Sequence, residues 1–502
     1  MPTPVPVTTI LQGFDTFVGS ALSTAVTGTS ASPGVSSQAY YRVCTDFESL
    51  LNAVNISASA SGSYQMVASA DAKLEFIKSL NITTYSVSIV VYASKVTDSQ
   101  AVTDFRFKTP PPQADLNRSF FQPYGDSFVT QIVYGAEYMA AYVFYCESVV
   151  EQQSIRGLLA ASGVSEDGTF SASLQASIES FKTSVQVRQY SNQQMVGIND
   201  VAYPTADGLI EFARTFNTLS VTKPAVISFG TTGYEHVAGC PNLTAIVNSR
   251  ELFEGRGKQR LGVADALKNL LALQSQTEWI EQVYRTYGYG GDPSVQSKHP
   301  QVTLDINTLI DLVNSMSADP TQKYALPQLA SLSYGSPTLA FDLRPADGPA
   351  GVWGTRSEVG GTSFQDVTRL SILRQAFLSS ISAWGNRWLD GLICTYSFAN
   401  DAPVVVSHGG RGGNPSSTLN LQPGEFLTHL FGYQQIYVYM LVVDTSRNGY
   451  WAWPPHSDGG APIDYHVPAG WAVVGFQGYQ GAYVDQLQPM ICSFSPAVWT
   501  VA

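Results

Sequence analysis

Cysteine is scarce and scattered in this chain of 502 residues. The five present, Cys44, Cys146, Cys240, Cys394 and Cys492, form no C-x-x-C pair. An odd, dispersed set argues against a disulfide framework or a cysteine-built zinc site and predicts free, mostly buried thiols. Charge is sparse as well: 13% of residues are charged, and 27 basic against 39 acidic side chains leave a net charge of −12. That balance speaks against electrostatic capture of nucleic acid or anionic lipid, so no nucleic-acid partner is expected. No apolar run approaches the roughly 18–20 residues that a membrane-crossing helix needs. The opening Met1-Pro2-Thr3-Pro4-Val5-Pro6 has no basic segment leading into an apolar one. The expectation is therefore a protein made in soluble form without a secretory leader. What the chain does have is Ser, Thr, 42 Gly and 26 Tyr, which suits β-rich architecture with many turns. Its length allows two or three domains.

Between Ile56 and Phe76 the chain alternates almost without error. Ile56, Ala58, Ala60, Gly62, Tyr64, Met66, Ala68, Ala70, Ala72, Leu74 and Phe76 occupy one parity, with Ser, Gln, Asp, Lys and Glu filling nearly all of the other. As a strand this would reach on the order of 70 Å with one apolar and one wet face. A membrane-spanning β-strand needs only about 9–11 residues of such alternation. The same stretch also fits a helix from Val67 onward, through Val67, Ala70, Leu74 and Ile77. A half-exposed antiparallel strand with a Ser-rich face is the plainer alternative. A second convertible segment follows, where Gly168, Phe170, Ala172, Leu174, Ala176 and Ile178 alternate with polar residues.

Around these segments lie strong strand signals at Thr83–Val96, Phe128–Tyr145, Val185–Tyr190 and Ala225–Phe229. Helical spacing then takes over at Asn242–Val247, Gly262–Tyr287 and Val302–Met316. Prolines 320, 327, 337, 345 and 349 punctuate the next stretch, so residues 318–345 are expected to be a linker between a domain of residues 1–317 and one of 346–502. The last third is rich in Gly and aromatics, with short strands and no helix signal, and reads as all-β.

Tyr124-Gly125-Asp126-Ser127-Phe128, six residues, then Gly135-Ala136 resembles the signature of the membrane-attack-complex/perforin and cholesterol-dependent cytolysin superfamily. Tyr124, Gly125, Phe128, Gly135 and the spacing match. Asp126-Ser127 stands where Thr-His is usual, and Ala136 where a second Gly is usual. The resemblance covers roughly residues 40–240, with one convertible segment on each side of the signature. It implies an α+β fold: a bent antiparallel sheet flanked by helical clusters that unfurl into hairpins and join a ring of subunits into one barrel. Ala58, Ala60, Tyr64, Met66, Ala68, Leu74 and Phe76, with Phe170, Ala172, Leu174, Ala176 and Ile178, are then the membrane-inserting side chains. The bilayer and further copies of the chain are the implied partners, with action outside the producing cell at the target membrane.

The carboxy-terminal third carries its own likeness. Gly354–Val367, Trp388–Leu392, His408-Gly409-Gly410-Arg411-Gly412-Gly413, Val473–Gly478 and above all Gly481-Ala482-Tyr483-Val484-Asp485 resemble a jacalin-type β-prism lectin. The G-x-x-x-D loop implies a carbohydrate site in which Asp485 accepts sugar hydroxyls, backbone N–H groups donate, and Tyr483 gives an apolar platform. Gly361 matches the amino-proximal glycine of that site, and Gly481 and Val484 complete the loop. No metal or other cofactor is required, so His408, His429, His456 and His466 are expected to be ordinary surface or loop histidines.

Two rivals remain. Gly125-Asp126-Ser127 and Gly197-Ile198-Asn199-Asp200 also resemble blocks of the GDSL esterases, with Ser127 as nucleophile and Asn199 as oxyanion donor. No histidine has an Asp three residues before it, as that family's base does, so no enzymatic activity is expected. The other rival is a lectin on an inert scaffold. The principal expectation is a glycan-directed, oligomerising pore-former with a possible insecticidal or defensive use.

Overall fold

The computed structural model describes residues 5–34, 36–55, 72–80, 86–109, 118–146, 149–161, 167–169, 189–205, 208–255, 261–355, 361–398, 403–455 and 459–500. The chain divides into two units: residues 1–276 with 299–336, and residues 277–298 with 337–500.

Nine strands make the described sheet of the first unit: β1 (Gly13–Asp15), β2 (Ser20–Leu22), β3 (Val26–Ala31), β4 (Gln38–Cys44), β5 (Val87–Phe107), β6 (Ser127–Phe144), β7 (Asp167–Thr169), β8 (Gln189–Val196) and β9 (Ala225–Gly233). β5 and β6 are its long central pair, antiparallel from Val87↔Phe144 to Ala101↔Gln131. Each changes its outer neighbour part-way along. β5 pairs with β4 over Ser88–Ser94 and with β3 over Ala101–Phe107. β6 pairs with β8 over Glu137–Phe144 and with β9 over Ser127–Gly135. Gly135 stands at this fork. A Cβ there would fall 2.0 Å from the Lys95 carbonyl oxygen, and the β5–β6 register slips opposite it, between Val96 and Asp98. Only glycine lets the two backbones approach so closely.

Alternation along β6 sends Tyr138, Tyr142 and Phe144 to one face, where they pack with Ile155 and Leu159 of helix Val149–Ala161 and with Leu209, Ile210 and Ala213 of helix Leu209–Thr215. Glu137 points to the other face. There Lys73 of helix Ala72–Ser79 donates to its Oε1 at 2.8 Å, and the Tyr92 hydroxyl donates to the same oxygen. A charge buried at this depth is tolerated because it is paired and hydrogen-bonded. β4, β5, β6 and β8 thus run as successive antiparallel neighbours. The β4–β5 connection carries helices Phe47–Ala53 and Ala72–Ser79, and the β6–β8 connection carries helix Val149–Ala161 and β7.

The expected membrane-inserting residues fall largely elsewhere. Ala58, Ala60, Tyr64, Met66, Ala68, Phe170, Ala172, Leu174, Ala176 and Ile178 lie outside the described residues. Leu74 is in helix Ala72–Ser79, and Phe76 in the same helix is 1% exposed. Helical spacing, not alternation, governs 72–79.

The second unit is built on β10 (Pro337–Pro345), β11 (Thr362–Gln365), β12 (Phe377–Gly385), β13 (Leu389–Ser397), β14 (Val404–Gly409), β15 (Asn414–Pro415), β16 (Leu419–Asn420), β17 (Leu427–Gln434), β18 (Val438–Thr445), β19 (Tyr450–Trp453), β20 (Ala461–His466), β21 (Ala472–Gln480) and β22 (Val484–Trp499). Among the described residues these form an eight-stranded and a five-stranded sheet around one apolar core. β10 arises inside the stretch whose prolines suggested a linker. Its two prolines sit at its ends, and among the described residues it pairs only with β22, an edge position that proline tolerates. Residues 277–298 also join this core, through Trp279, Ile280, Val283, Tyr284, Tyr287 and Val295. Asp292 accepts from the Ala497 amide at 2.6 Å, and Phe494 packs its ring 4.9 Å from Tyr284 and 5.0 Å from Tyr289. The all-β expectation for this region also misses helix Arg369–Leu373, whose Thr368 cap accepts from the Ser371 amide in a capping box.

Candidate functional site

Three chain segments converge at one end of the second unit. Gly361 immediately precedes β11, Gly481 immediately follows β21, and Asp485 is the second residue of β22. The register explains the meeting, since Gln480 lies opposite both Thr362 and Val484. The loop between β21 and β22 is short, and the Gly481 amide donates to the Tyr483 carbonyl at 3.0 Å. A methyl group on Gly361 would lie 2.8 Å from Oδ2 of Asp485, and one on Gly481 would lie 3.2 Å from it. Both glycines therefore leave the carboxylate uncovered where any side chain would crowd it. Val484 is fully buried and anchors the loop to the core.

Asp485 is only 4% exposed, and burial raises its carboxyl above the ordinary carboxylate range. Among the described residues its carboxylate accepts no hydrogen bond. Half-buried Tyr483 borders the loop in an aromatic group, with its ring 5.3 Å from Trp388 and 4.9 Å from Tyr437. The structure thus gathers Gly361, Gly481, Tyr483, Val484 and Asp485 into one neighbourhood, with Trp388 and Tyr437 added to it.

A second carboxylate of the same construction is Asp390, which the sequence did not single out as a site residue. It is 9% exposed, its carboxyl is raised by burial, and among the described residues its carboxylate accepts no hydrogen bond, although its backbone carbonyl accepts from the Gly410 amide at 2.7 Å. Methyl groups on Gly412 and Gly413 would sit 2.8 Å and 3.0 Å from its Oδ2. The run His408–Gly413 therefore serves both neighbourhoods. Gly409, at φ +79°, packs against Tyr483 and Val484, and the next glycines line Asp390. The available signal was an Asp just after Trp388, paired with a glycine-rich turn.

His408 is buried, contrary to its expected place at the surface. Its Nε2–H donates to Asp366 Oδ1 at 2.7 Å, and its ring stacks on Phe364 at 3.6 Å. The Tyr396 hydroxyl donates to the other Asp366 oxygen, and burial raises this phenol well above its usual range. Gln480 Oε1 lies 3.2 Å from His408 Nδ1 and accepts from the Gly409 amide at 2.9 Å. This chain of polar contacts ties the glycine run to the end of β21, so both loops are held before any ligand arrives.

The signature Tyr124–Gly135 builds something else. Gly125, at φ +76°, ends helix Arg118–Tyr124, and a Cβ on it would meet the Phe14 carbonyl oxygen at 2.1 Å. Tyr124 accepts at its carbonyl from the Tyr234 hydroxyl, and Phe128 packs its ring 5.2 Å from Tyr234. Asp126 accepts from the Thr16 amide and hydroxyl, both at 2.8 Å, and pairs with Arg250 at 3.4 Å. Ser127 is buried, with its hydroxyl donating to the Phe14 carbonyl and lying 3.1 Å from that of Thr16. These are the contacts of a packed junction.

No curated protein matches the chain. Among solved structures, wild-type Malaysian banana lectin is 20% identical over 28% of this chain and 94% of its own, with a TM-score of 0.23. A mannose-binding jacalin-related lectin from Ananas comosus is 22% identical over 32% and 98%, at 0.24. A mannose-binding lectin from Champedak is 19% identical over 28% and 93%, also at 0.24. The family match is confined to residues 350–489 and leaves the first unit outside it. The carboxy-terminal region that holds Asp485 and Asp390 is a jacalin-like lectin domain.

Proposed function

We propose that this protein binds a cell-surface glycan through the loops around Asp485. The observation that carries the reading is a nearly buried carboxylate that accepts no hydrogen bond among the described residues, walled by glycines and bordered by Tyr483. Such a group lacks the hydrogen bonds that burial normally demands, and paired sugar hydroxyls supply them. Tyr483 and Trp388 offer the apolar surface on which a pyranose ring rests. The names of the similar lectins from Ananas comosus and Champedak make mannose the first sugar to test. Asp390 offers a second pocket of the same kind. The reading assigns no catalysis to either. Calorimetric titration with mannose and mannose-terminated glycans is the test: saturable binding that Asp485→Ala weakens, with the circular dichroism spectrum unchanged, supports it. Equal binding by wild type and Asp485→Ala overturns it.

A second reading concerns the first unit, and one observation favours it. β4, β5, β6 and β8 form an antiparallel meander in which the β4–β5 and β6–β8 connections both carry helices and both contain the convertible segments. A pore-former needs that arrangement if two connections are to extend into hairpins while the central strands stay put. Lipid admits no unpaired backbone, so the hairpins would have to close into a ring with those of further copies. Dye release from glycan-bearing liposomes, lost when Ala72–Ser79 is tied to β8 by an engineered disulfide, tests it. Intact liposomes at saturating protein would leave a lectin on an inert scaffold.

A further inference from the structure

The outer face of the eight-stranded sheet carries a group that sugar binding does not use. Along β20 the burial alternates, with Ile463 and Tyr465 inward and Asp464 and His466 outward. His429 on β17 lies directly opposite His466 on one side and Asp444 of β18 on the other. Three adjacent strands therefore present Asp444, His429 and His466 in one row, with Asp464 two residues along. His429 Nδ1 is 3.0 Å from Asp444 Oδ2, and its Nε2 is 2.6 Å from Asp464 Oδ1. His466 stacks its ring on His429 at 4.1 Å, and its Nε2 lies 3.6 Å from the same Asp464 oxygen.

We propose that His429, His466 and Asp464 hold a divalent transition-metal ion of the zinc class. Ligand atoms of all three residues lie within 4.8 Å of one another. Tetrahedral zinc, at about 2.0–2.2 Å from each nitrogen and oxygen, needs ligand atoms roughly 3.3 Å apart. The 2.6 Å separation must open and the 3.6 Å one must close, each by less than an ångström. The His466 side chain is 75% exposed and has room to tilt its ring out of the stack so that Nε2 faces the ion. Asp444 holds Nδ1 of His429, the carboxylate–histidine arrangement that orients a ligating imidazole. Two carboxylates and two imidazoles make a net negative group that a dication balances, and mixed imidazole and carboxylate donors suit zinc, copper or nickel over calcium. The ion would clamp β17 to β20 and keep a coordination position open to solvent. His429 and His466 thereby gain a role beyond the surface histidines expected of them.

The test is equilibrium dialysis and calorimetry of the untagged full chain with Zn2+, repeated with Ca2+. One equivalent of Zn2+ should bind, with Ca2+ inert, and His466→Ala should weaken that equivalent at least about tenfold. Asp464→Asn, at another exposed position, should do the same without unfolding the domain. Zn2+ binding that both variants leave unchanged, or no saturable binding, overturns the site. Mannose titration of the same variants reads the sugar site separately.

Discussion

Asp126 and Asp485 both lie close behind a glycine at a turn, and both are almost wholly buried, yet their surroundings are opposite. Asp126 is closed in by the Thr16 amide and hydroxyl and by Arg250, which also pairs with Glu235. The Asp485 carboxylate accepts nothing among the described residues, and the glycines around it keep other side chains away. A satisfied carboxylate stabilises a fold, whereas an unsatisfied one in a held loop is ready for a ligand. The residue types alone do not tell these cases apart.

The sharpest way to break that contrast is to remove each carboxylate. Asp126→Ala leaves half-buried Arg250 with Glu235 and the backbone carbonyl of residue 126, and should lower the stability of the first unit by about 1–3 kcal/mol in denaturant unfolding, with mannose affinity unchanged. Asp485→Ala should reverse the pattern, leaving unfolding nearly unaffected. At about 1.5–3 kcal/mol per lost hydrogen bond to a charged group, affinity in the calorimeter should fall roughly tenfold to a hundredfold. Asp390→Ala sharpens the comparison within the lectin domain: the number of bound sugars per chain should drop from two to one while the remaining affinity is kept. An unchanged stoichiometry would make Asp390 a packing residue.

A further expected effect is one of pH. Burial and nearby Asp126 raise the Asp15 carboxyl to about 7, against the hydrogen bonds it accepts from Ser317 and from the Phe17 and Val18 amides. The unfolded chain releases that proton first, near the model-compound value of about 3.9. The folded state therefore holds the extra proton between about pH 4 and 7, and this contribution to stability falls as pH rises through that window. Thermal unfolding of wild type should show this decline, and Asp15→Asn should flatten it. An identical slope in both proteins would remove Asp15 from the account.

Legibility in the sequence followed the range of the interaction. The G-x-x-x-D run and the helix Val263–Thr286 could be read directly, because each is written in neighbouring residues at a fixed spacing. The long β5–β6 pair was foreseen as strands, but its fork at Gly135 depends on Lys95 and on the shift of partner from β9 to β8. Pro337–Pro345 read as loop because proline is a local signal, while its pairing with β22 is a contact across some 150 residues. The row through Asp444, His429 and His466 was invisible for the same reason, since its members come from separate strands, and the glycine wall that singles out Asp390 likewise comes from a distant turn.

The sequence by itself determined that the last third of the chain holds a β-rich, jacalin-like lectin domain and that Gly481–Asp485 holds a short loop, because loop residues and turn glycines act within a few positions of one another. Tertiary structure decided which carboxylates are sealed and which are open, which histidine is buried and which two stack. Those outcomes depend on how distant strands align, and alignment is a property of the packed sheet that no single segment contains.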